Sequence, residues 1–533
     1  MPVTDKILEK YDPKVYKNRK EHMTVIDPSE SEKPISANTR AIPGIMTHRG
    51  CCYAGCKGVV LGPLKDTLVI THGPIGCGFY SWGTRRNKAR DPEGSWTQYC
   101  FSTDMQESDI VFGGDKKLKT AVAEAMSTFE KKPKSIMICS TCPIGLIGDD
   151  IHSIATQIEA EYGIPCMAFS CEGYKGVSQS GGHHIANNQL MRRVIGADAT
   201  SPAPPKISVN LLGEYNIGGD GWETERILRK CGIEVVSIFT GDGSYENIAR
   251  SHTATLNLVQ CHRSINYIAE MMKTRYGIDW LKVNFIGVAS TAESLRCVAR
   301  YFGDPKLSER VEQVIAEETA AIADDMARFR TVLEGKTAAI YSGGSRSHHY
   351  RKLLEELGVK TIMAGYEFAH RDDYEGRKVI PTIKDDADNK NIGSITVEPD
   401  PEHFRSFLDA DRRRELEAEG VITEDYAGMM PDMTDGLIVD DLNEAEADMI
   451  MRTLKPDMFF SGIKDKYIIE KHGIYSKQIH SYDYSGPYAG YAGAYNFGRD
   501  LVMGMTIPAW RLVTPKWRTK TVLEGAVCEG GRN

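Results

Sequence analysis

Three cysteines fall within six positions of the stretch RGCCYAGCKG, residues 49–58. A thiolate is both a nucleophile and a soft metal ligand, so this stretch invites a search for a metal site. Taken with Cys77 and Cys142 farther along, the spacing of Cys51 fits neither a zinc ribbon, which uses two close pairs, nor a ferredoxin run. Further along, Cys77 ends HGPIGC, Cys142 lies in STCPIG and Cys261 lies in VQCHRS. These three, with Cys51 after MTHRG, follow extended patterns and precede helix starts, where helix N-terminal amides favour thiolate over thiol. Cys231 and Cys297 fall in helical patterns and Cys139 and Cys166 in strand patterns, and all four read as core. Cys51, Cys77 and Cys142 are too far apart in sequence to meet except through the fold. Three thiolates are also one short of a common tetrahedral site, so something else must complete the coordination.

A second group of loops is rich in imidazoles and cations. In SQSGGHHIANN, residues 178–188, two histidines follow a glycine pair; a helix cap or a core position is the bland alternative for each. HSYDYSGPYAG (480–490) and YSGGSRSHH (341–349) are glycine-containing loops at the ends of strand patterns. Together the loops offer Cys261, His480, Gln179, His183, Arg85, Arg263, Arg346 and Lys464. One thiolate with imidazoles and many cations suits a large anionic metal–sulfur cofactor better than a bare divalent ion.

The elements that must position these residues share one rhythm: a β-branched run, a loop of Gly, Cys or Ser, then a helical pattern. It occurs at 67–77, 135–150, 233–250, 256–272, 338–358 and 458–473. Such alternation predicts an α/β fold of doubly wound, Rossmann-like parallel sheets, with ligands at the carboxyl ends of the strands. A chain of 533 residues exceeds one hydrophobic core. The expected division is an extended N-terminal arm (1–40), α/β domains at 41–205, 206–335 and 336–515, and a tail at 516–533. A polar stretch at about 377–430 breaks the rhythm and reads as a surface insertion. Metal clusters would lie between the domains.

With 41 % apolar and 26 % charged residues, the composition is that of a globular protein. The net charge of −8 argues against nucleic acid or an anionic membrane as partner. No export signal or membrane-spanning run is evident, so the expected location is the cytoplasm, where thirteen cysteines would remain reduced.

RGCCYAGCKGVV, THGPIGCGFY, FSTDMQESDIVFGG, CPIGLIGDDI, CEGYKGVSQSGGHHIANN, NLVQCHRSINYI, GGSRSHH, YEFAHRDDYEG and HSYDYSGPYAG occur in that order. In these motifs, over roughly residues 40–515, the chain resembles the α subunits of the dinitrogenase component of nitrogenase. The resemblance implies that Cys51, Cys77 and Cys142 are ligands of the P-cluster, an iron–sulfur cluster completed by three cysteines of a homologous β chain. It implies that Cys261 holds a terminal iron of the iron–molybdenum cofactor and His480 its molybdenum, with homocitrate near Gln179 and Lys464. Val59, Arg85, His183 and Phe368 would line the reactive face, with Gln179 nearby. Arg263, Ser264, Gly343, Gly344 and Arg346 would bind the cofactor and offset its charge.

By the same resemblance, the partners are a β chain in an α2β2 assembly and a separate ATP-hydrolysing iron protein. The reaction is reduction of N2 and protons to ammonia and H2. The absence of GxxxxGK[ST] agrees with ATP being used on another chain. A cofactor-assembly scaffold homologue would lack the histidine ligand, so the pair Cys261 and His480 disfavours it. Vanadium and iron-only forms typically have Lys where Arg85 stands. Asp465 and Ala489 depart from residues common in the family, and the insertion is of the clostridial type. It is expected on the surface, against β or shaping iron-protein docking. Within RGCCYAGCKG, only Cys51 carries a ligand position; Cys52 and Cys56 read as packing.

Overall fold

The computed structural model describes residues 2–26, 50–81, 100–174, 179–198, 200–262, 265–343, 345–367, 377–379, 397–399, 435–462, 465–479 and 485–507, with single positions 411, 414, 418 and 433. All six expected strand–loop–helix units are present. In chain order the strands are β1 (Met23–Ile26), β2 (Thr67–His72), β3 (Cys100–Ser102), β4 (Ser135–Ser140) and β5 (Cys166–Phe169). β6 (Ser208–Glu214), β7 (Glu234–Thr240), β8 (Leu256–Val259) and β9 (Asp279–Lys282) follow. Then come β10 (Thr337–Gly343), β11 (Lys360–Glu367), β12 (Arg377–Val379), β13 (Val397–Pro399), β14 (Gly436–Asp440), β15 (Met458–Ser461) and β16 (Tyr475–Gln478).

The first sheet has the order β3-β2-β4-β5 and the second β7-β6-β8-β9, and every pairing in both is parallel. Helices cover the faces of parallel sheets, which is why β2, β4 and β6 are apolar-rich and buried along their whole length. The third sheet has the order β1-β14-β11-β10-β15-β16, parallel except for the antiparallel edge strand β1. Within the stretch 377–430, β12 and β13 form an antiparallel pair. The rest of that expected insertion, beyond a few single positions, and the tail 516–533 lie outside the described residues.

Residues 3–26 are not the extended arm expected from their polarity. They form helices Val3–Leu8 and Pro13–Lys20 and then strand β1, which closes the edge of the third sheet. Asp12 caps the second helix by accepting from the amides of Lys14 and Val15 at 3.0 and 3.2 Å. Ile7, Leu8 and Met23 bury against Leu437 and Val439. Arg19, 2 % exposed, donates from Nε and Nη2 to Glu446 at 2.6 and 2.8 Å and from Nη2 to the Asp440 and Asp441 carbonyls. A buried bidentate pair across more than four hundred residues of sequence has no local signal.

The helix Arg346–Glu356 places His348 and His349 in the interior. Burial, followed by the charge of Lys352, holds both imidazoles well below their ordinary value of 6.5. The folded chain therefore keeps them neutral where the unfolded chain takes up protons, so their contribution is intact above pH 6.5 and is lost as pH falls below it. Thermal or denaturant unfolding of the anaerobically purified protein should show stability falling by up to about 1.4 kcal/mol per pH unit for each imidazole below that point. A flat profile between pH 7.5 and 5.5 would contradict their neutral burial.

Candidate metal-cluster site

Cys51, Cys77 and Cys142 come together at the carboxyl edge of the first sheet. Cys51 directly precedes the helical segment that becomes the π-helix Ala54–Leu61. Cys142 opens the helix Cys142–Ile147 that follows β4. Gly173 lies between them: a Cβ there would stand 3.2 Å from Cys142 Sγ, 3.2 Å from Cys51 Cβ and 3.5 Å from Cys51 Sγ. Cys51 is exposed, and Cys77 and Cys142 are half-buried.

Cys77 departs from expectation in two respects. It lies inside the helix Ile75–Ser81 rather than in the loop before it, and its thiol is raised, not lowered. Burial is the main cause, followed by the charges of Cys51 and Cys142. The two neighbouring thiols thus disfavour the ionised form of Cys77, and a positive metal centre relieves that repulsion. The donor set therefore fits a metal group. Among the described residues these three are not gathered tightly enough for one ion, which suits a larger cluster.

The surroundings hold this triad in place. Tyr53 Oη lies 2.7 Å from Thr71 Oγ1 and 2.9 Å from Ser81 Oγ and donates to the Cys77 carbonyl at 3.2 Å. Lys57 Nζ, buried, donates to the Ser81 carbonyl at 2.6 Å. After the Cys142 helix, Asp149 pairs with His72 Nε2 at 3.1 Å and accepts from the Gly114 amide. The helices that follow β2, β3 and β4, adjacent strands, also project Tyr80, Phe112 and Leu146 with 88, 87 and 75 % of their surface exposed. Phe79 and Val111 extend this apolar rim. Exposed apolar side chains grouped in this way are characteristic of an interaction surface.

A second constellation lies deeper, where the carboxyl edges of the second and third sheets meet the first unit. Cys261 follows β8, half-buried, and Gly213 of β6 passes directly beside it. His262 donates its amide to Ser345 Oγ, and Ser345 Oγ donates to the Gln260 carbonyl, tying the Cys261 loop to the loop after β10. Arg346, in that second loop, approaches the Ile479 carbonyl at 3.5 Å and Asp220 at 3.8 Å. Asp220, fully buried, accepts from the amides of Tyr488 and Ala489.

From the other side, the helix Gln179–Arg193 presents His183, buried, with its ring 6.0 Å from that of Tyr215, just beyond β6. Tyr267 Oη donates to the His183 carbonyl at 3.4 Å. Gln179 is buried at the start of that helix and reaches Gly50, where a Cβ would meet its Oε1 at 2.6 Å. Val59 is buried on the π-helix, whose Val60 carbonyl accepts from Thr240 Oγ1 at the end of β7. Gly343 ends β10.

The fold thus brings the Cys261 loop beside Ser345 and Arg346, sets His183 near Tyr215 at the end of β6, and packs Gln179 against Gly50 and Gly55. Arg85, Arg263, Ser264, Gly344, Phe368, Lys464 and His480 lie outside the described residues. Asp220, Tyr215 and Gly173 escaped sequence reading, since only their through-space neighbours mark them.

The sequence signature of the family described as "Nitrogenase component 1 type Oxidoreductase" matches residues 51–506. The chain belongs to this family. It is 56 % identical over 532 residues to the nitrogenase molybdenum-iron protein alpha chain of Clostridium pasteurianum, covering 99 % of this chain and 98 % of that one. The alpha chains of Methanosarcina barkeri and Azotobacter vinelandii are 50 and 39 % identical, each over 98 % of this chain and 97 and 96 % of theirs. The solved structure of nitrogenase Cp1 at pH 6.5 superposes with a TM-score of 0.87 at 55 % identity, covering 97 % of this chain and all of that one. The α/β architecture of parallel sheets is therefore that of nitrogenase component 1.

Gly213 offers a controlled test of how this nitrogenase-type site is built. Its φ is +75°, and an added Cβ would stand 2.6 Å from Cys261 Cβ and 2.9 Å from Cys261 N. Gly232 shares a positive φ of +87° but has nothing within 4 Å. Gly213→Ala should lower the unfolding free energy by about 1–3 kcal/mol beyond Gly232→Ala, because backbone beside Cys261 must shift. Equal losses would mean that close packing on Cys261 is unimportant.

Proposed function

We propose that this chain is the catalytic α subunit of a molybdenum nitrogenase, reducing N2 and protons to ammonia and H2 with electrons delivered by a separate ATP-hydrolysing iron protein. The observation that carries this reading is the pairing of two thiol sites in one chain of this family. One is the half-open triad Cys51, Cys77 and Cys142 at an apolar rim, and the other is the single, half-buried Cys261 after β8.

In this reading the triad holds half of a P-cluster, whose remaining ligands come from the β chain of an α2β2 assembly. The exposed rim of Tyr80, Phe112 and Leu146 supports that partner, since burying such a patch against a second chain removes a large apolar area from water. Cys261 and His480 hold the iron–molybdenum cofactor with homocitrate, and Gln179 and Lys464 face the homocitrate. When bound, these groups would carry the iron protein's electrons and supply the metal surface for N2. The protein's own part is to orient, insulate and deliver protons. Val59 and Phe368 keep the reactive face apolar, which limits wasteful access of water. His183 donates a hydrogen bond or relays a proton from its imidazole. Arg85, Arg263 and Arg346, with Ser264 and the amides of Gly343 and Gly344, offset the cofactor's negative charge. Asp220 is the counter-charge that sets Arg346.

Two further parts belong to the proposal. The chain divides into α/β units at 41–205, 206–335 and 336–515; the first two sheets fall within the first two spans, and the third sheet falls within the last except for its edge strand β1. The insertion at about 377–430 contacts β or shapes the docking of the iron protein, which seats near the CPIGLIGDD loop. The setting is cytoplasmic; no helix among the described residues is long and apolar enough to cross a membrane.

Cys261→Ala tests the assignment. In the purified complex it should abolish the electron paramagnetic resonance signal of the iron–molybdenum cofactor while P-cluster signals persist. An unchanged cofactor spectrum would remove Cys261 from the ligand set.

A further inference from the structure

A third group of cysteines is gathered more tightly than either site above and has no part in the proposed reaction. The sulfur atoms of Cys56, Cys139 and Cys171 all lie within 4.8 Å of one another, and all three residues are fully buried. They come from different elements: the π-helix, the body of β4 and the segment just after β5. Among the described residues, no other three histidine, cysteine or carboxylate groups converge this closely. We propose that Cys56, Cys139 and Cys171 form a structural site for one divalent thiophilic ion of the zinc class, distinct from both cluster sites.

The geometry is near that of a filled site. Zinc–thiolate bonds of about 2.3 Å place neighbouring sulfurs roughly 4 Å apart, so binding needs a contraction of less than about 1 Å. Charge selects the valence. Lys57, 1 % exposed, follows Cys56 and acts electrostatically on Cys139. Three thiolates, a divalent ion and one ammonium form a neutral set, whereas a monovalent ion would leave an uncompensated negative charge in the interior. Cys52, fully buried one turn before Cys56, is close enough for its charge to act on that thiol, but its sulfur is not among those that converge.

The proton inventory of the metal-free cluster is already arranged for binding. Burial raises the Cys139 thiol, but hydrogen bonds from Cys171 and Cys56 and the charge of Lys57 outweigh it and bring Cys139 down to about 5. Cys56 and Cys171 are pushed well up, mainly by burial. Cys171 Sγ also approaches the Ser140 carbonyl at 3.5 Å. One thiolate thus accepts from two thiols. Binding a divalent ion forms three metal–sulfur bonds, breaks two S–H bonds and releases two protons to solvent, with no change of oxidation state. The ion then cross-links the π-helix to β4 and β5 and fixes the winding of the segment between Cys51 and Val59.

The test uses the complete, anaerobically purified complex exposed to Zn(II), or to Cd(II) as a second probe, then to a chelator. Wild-type protein should retain roughly one equivalent of probe metal per chain, with a shell of three or four sulfurs by X-ray absorption at that metal's edge. Cys139→Ser should cut retained metal at least about tenfold with iron content unchanged. Cys297→Ser, at a buried cysteine elsewhere, should retain it. No retained metal in wild type, a shell of mainly oxygen and nitrogen, or equal retention in Cys139→Ser would overturn the proposal. If Cys139→Ser fails to fold, the wild-type sulfur count decides, and fewer than three sulfurs refutes the site. Iron content reports separately on the nitrogenase reading, so either can fail without the other.

Discussion

The close contact of the helix Gln179–Arg193 with the π-helix Ala54–Leu61 is the constraint on which the rest of the site depends. It is a backbone contact made possible by glycine. A Cβ on Gly55 would overlap the Gln179 carbonyl, and one on Gly182 would overlap the Cys52 carbonyl. With the two backbones that close, the segment from Cys51 to Val59 can adopt only one path. Cys51 is thereby aimed at Cys142, Cys56 at β4, and Val59 and His183 at the second sheet. A π-helix is rare, and its extra residue per turn is tolerated where function dictates side-chain direction. Here the eight-residue π-helix carries the buried Cys56 and Val59, and the exposed Cys51 stands just before it.

The same logic of shared backbone joins the second and third sheets. Ser345 links the Cys261 loop to the loop after β10, and Asp220 ties Arg346 to the amides of Tyr488 and Ala489. Ser345 and Asp220 make buried hydrogen bonds to other elements, and Arg346 adds an ion pair to Asp220 at 3.8 Å. The result is a set of contacts between the Cys261 loop, the Arg346 helix start and the 488–489 segment that is formed within this chain alone. That preorganisation is what a site for slow, multi-electron chemistry requires.

Much of this was legible in the sequence because the signal was local. A β-branched run followed by a Gly, Cys or Ser loop identified β2, β4, β7, β8, β10 and β15. Since ligand sites collect at the carboxyl ends of parallel strands, it also singled out Cys142 and Cys261. Motifs in fixed order then pointed to the family. What failed was non-local. Residues 3–26 read as an arm because their few apolar residues and Arg19 have partners near residue 440. Cys77 was expected to have a depressed pKa from its helix position, but burial and two facing thiols dominate. Cys56 and Cys139 were taken as packing. They are buried as that reading requires, yet only the fold reveals that they converge with Cys171.

Elemental analysis of the anaerobically purified complex tests the central claim most directly. Iron in large excess over protein, with molybdenum and without vanadium, is the predicted result. Zinc in proportion to protein with no iron would contradict the assignment of this chain to a molybdenum nitrogenase.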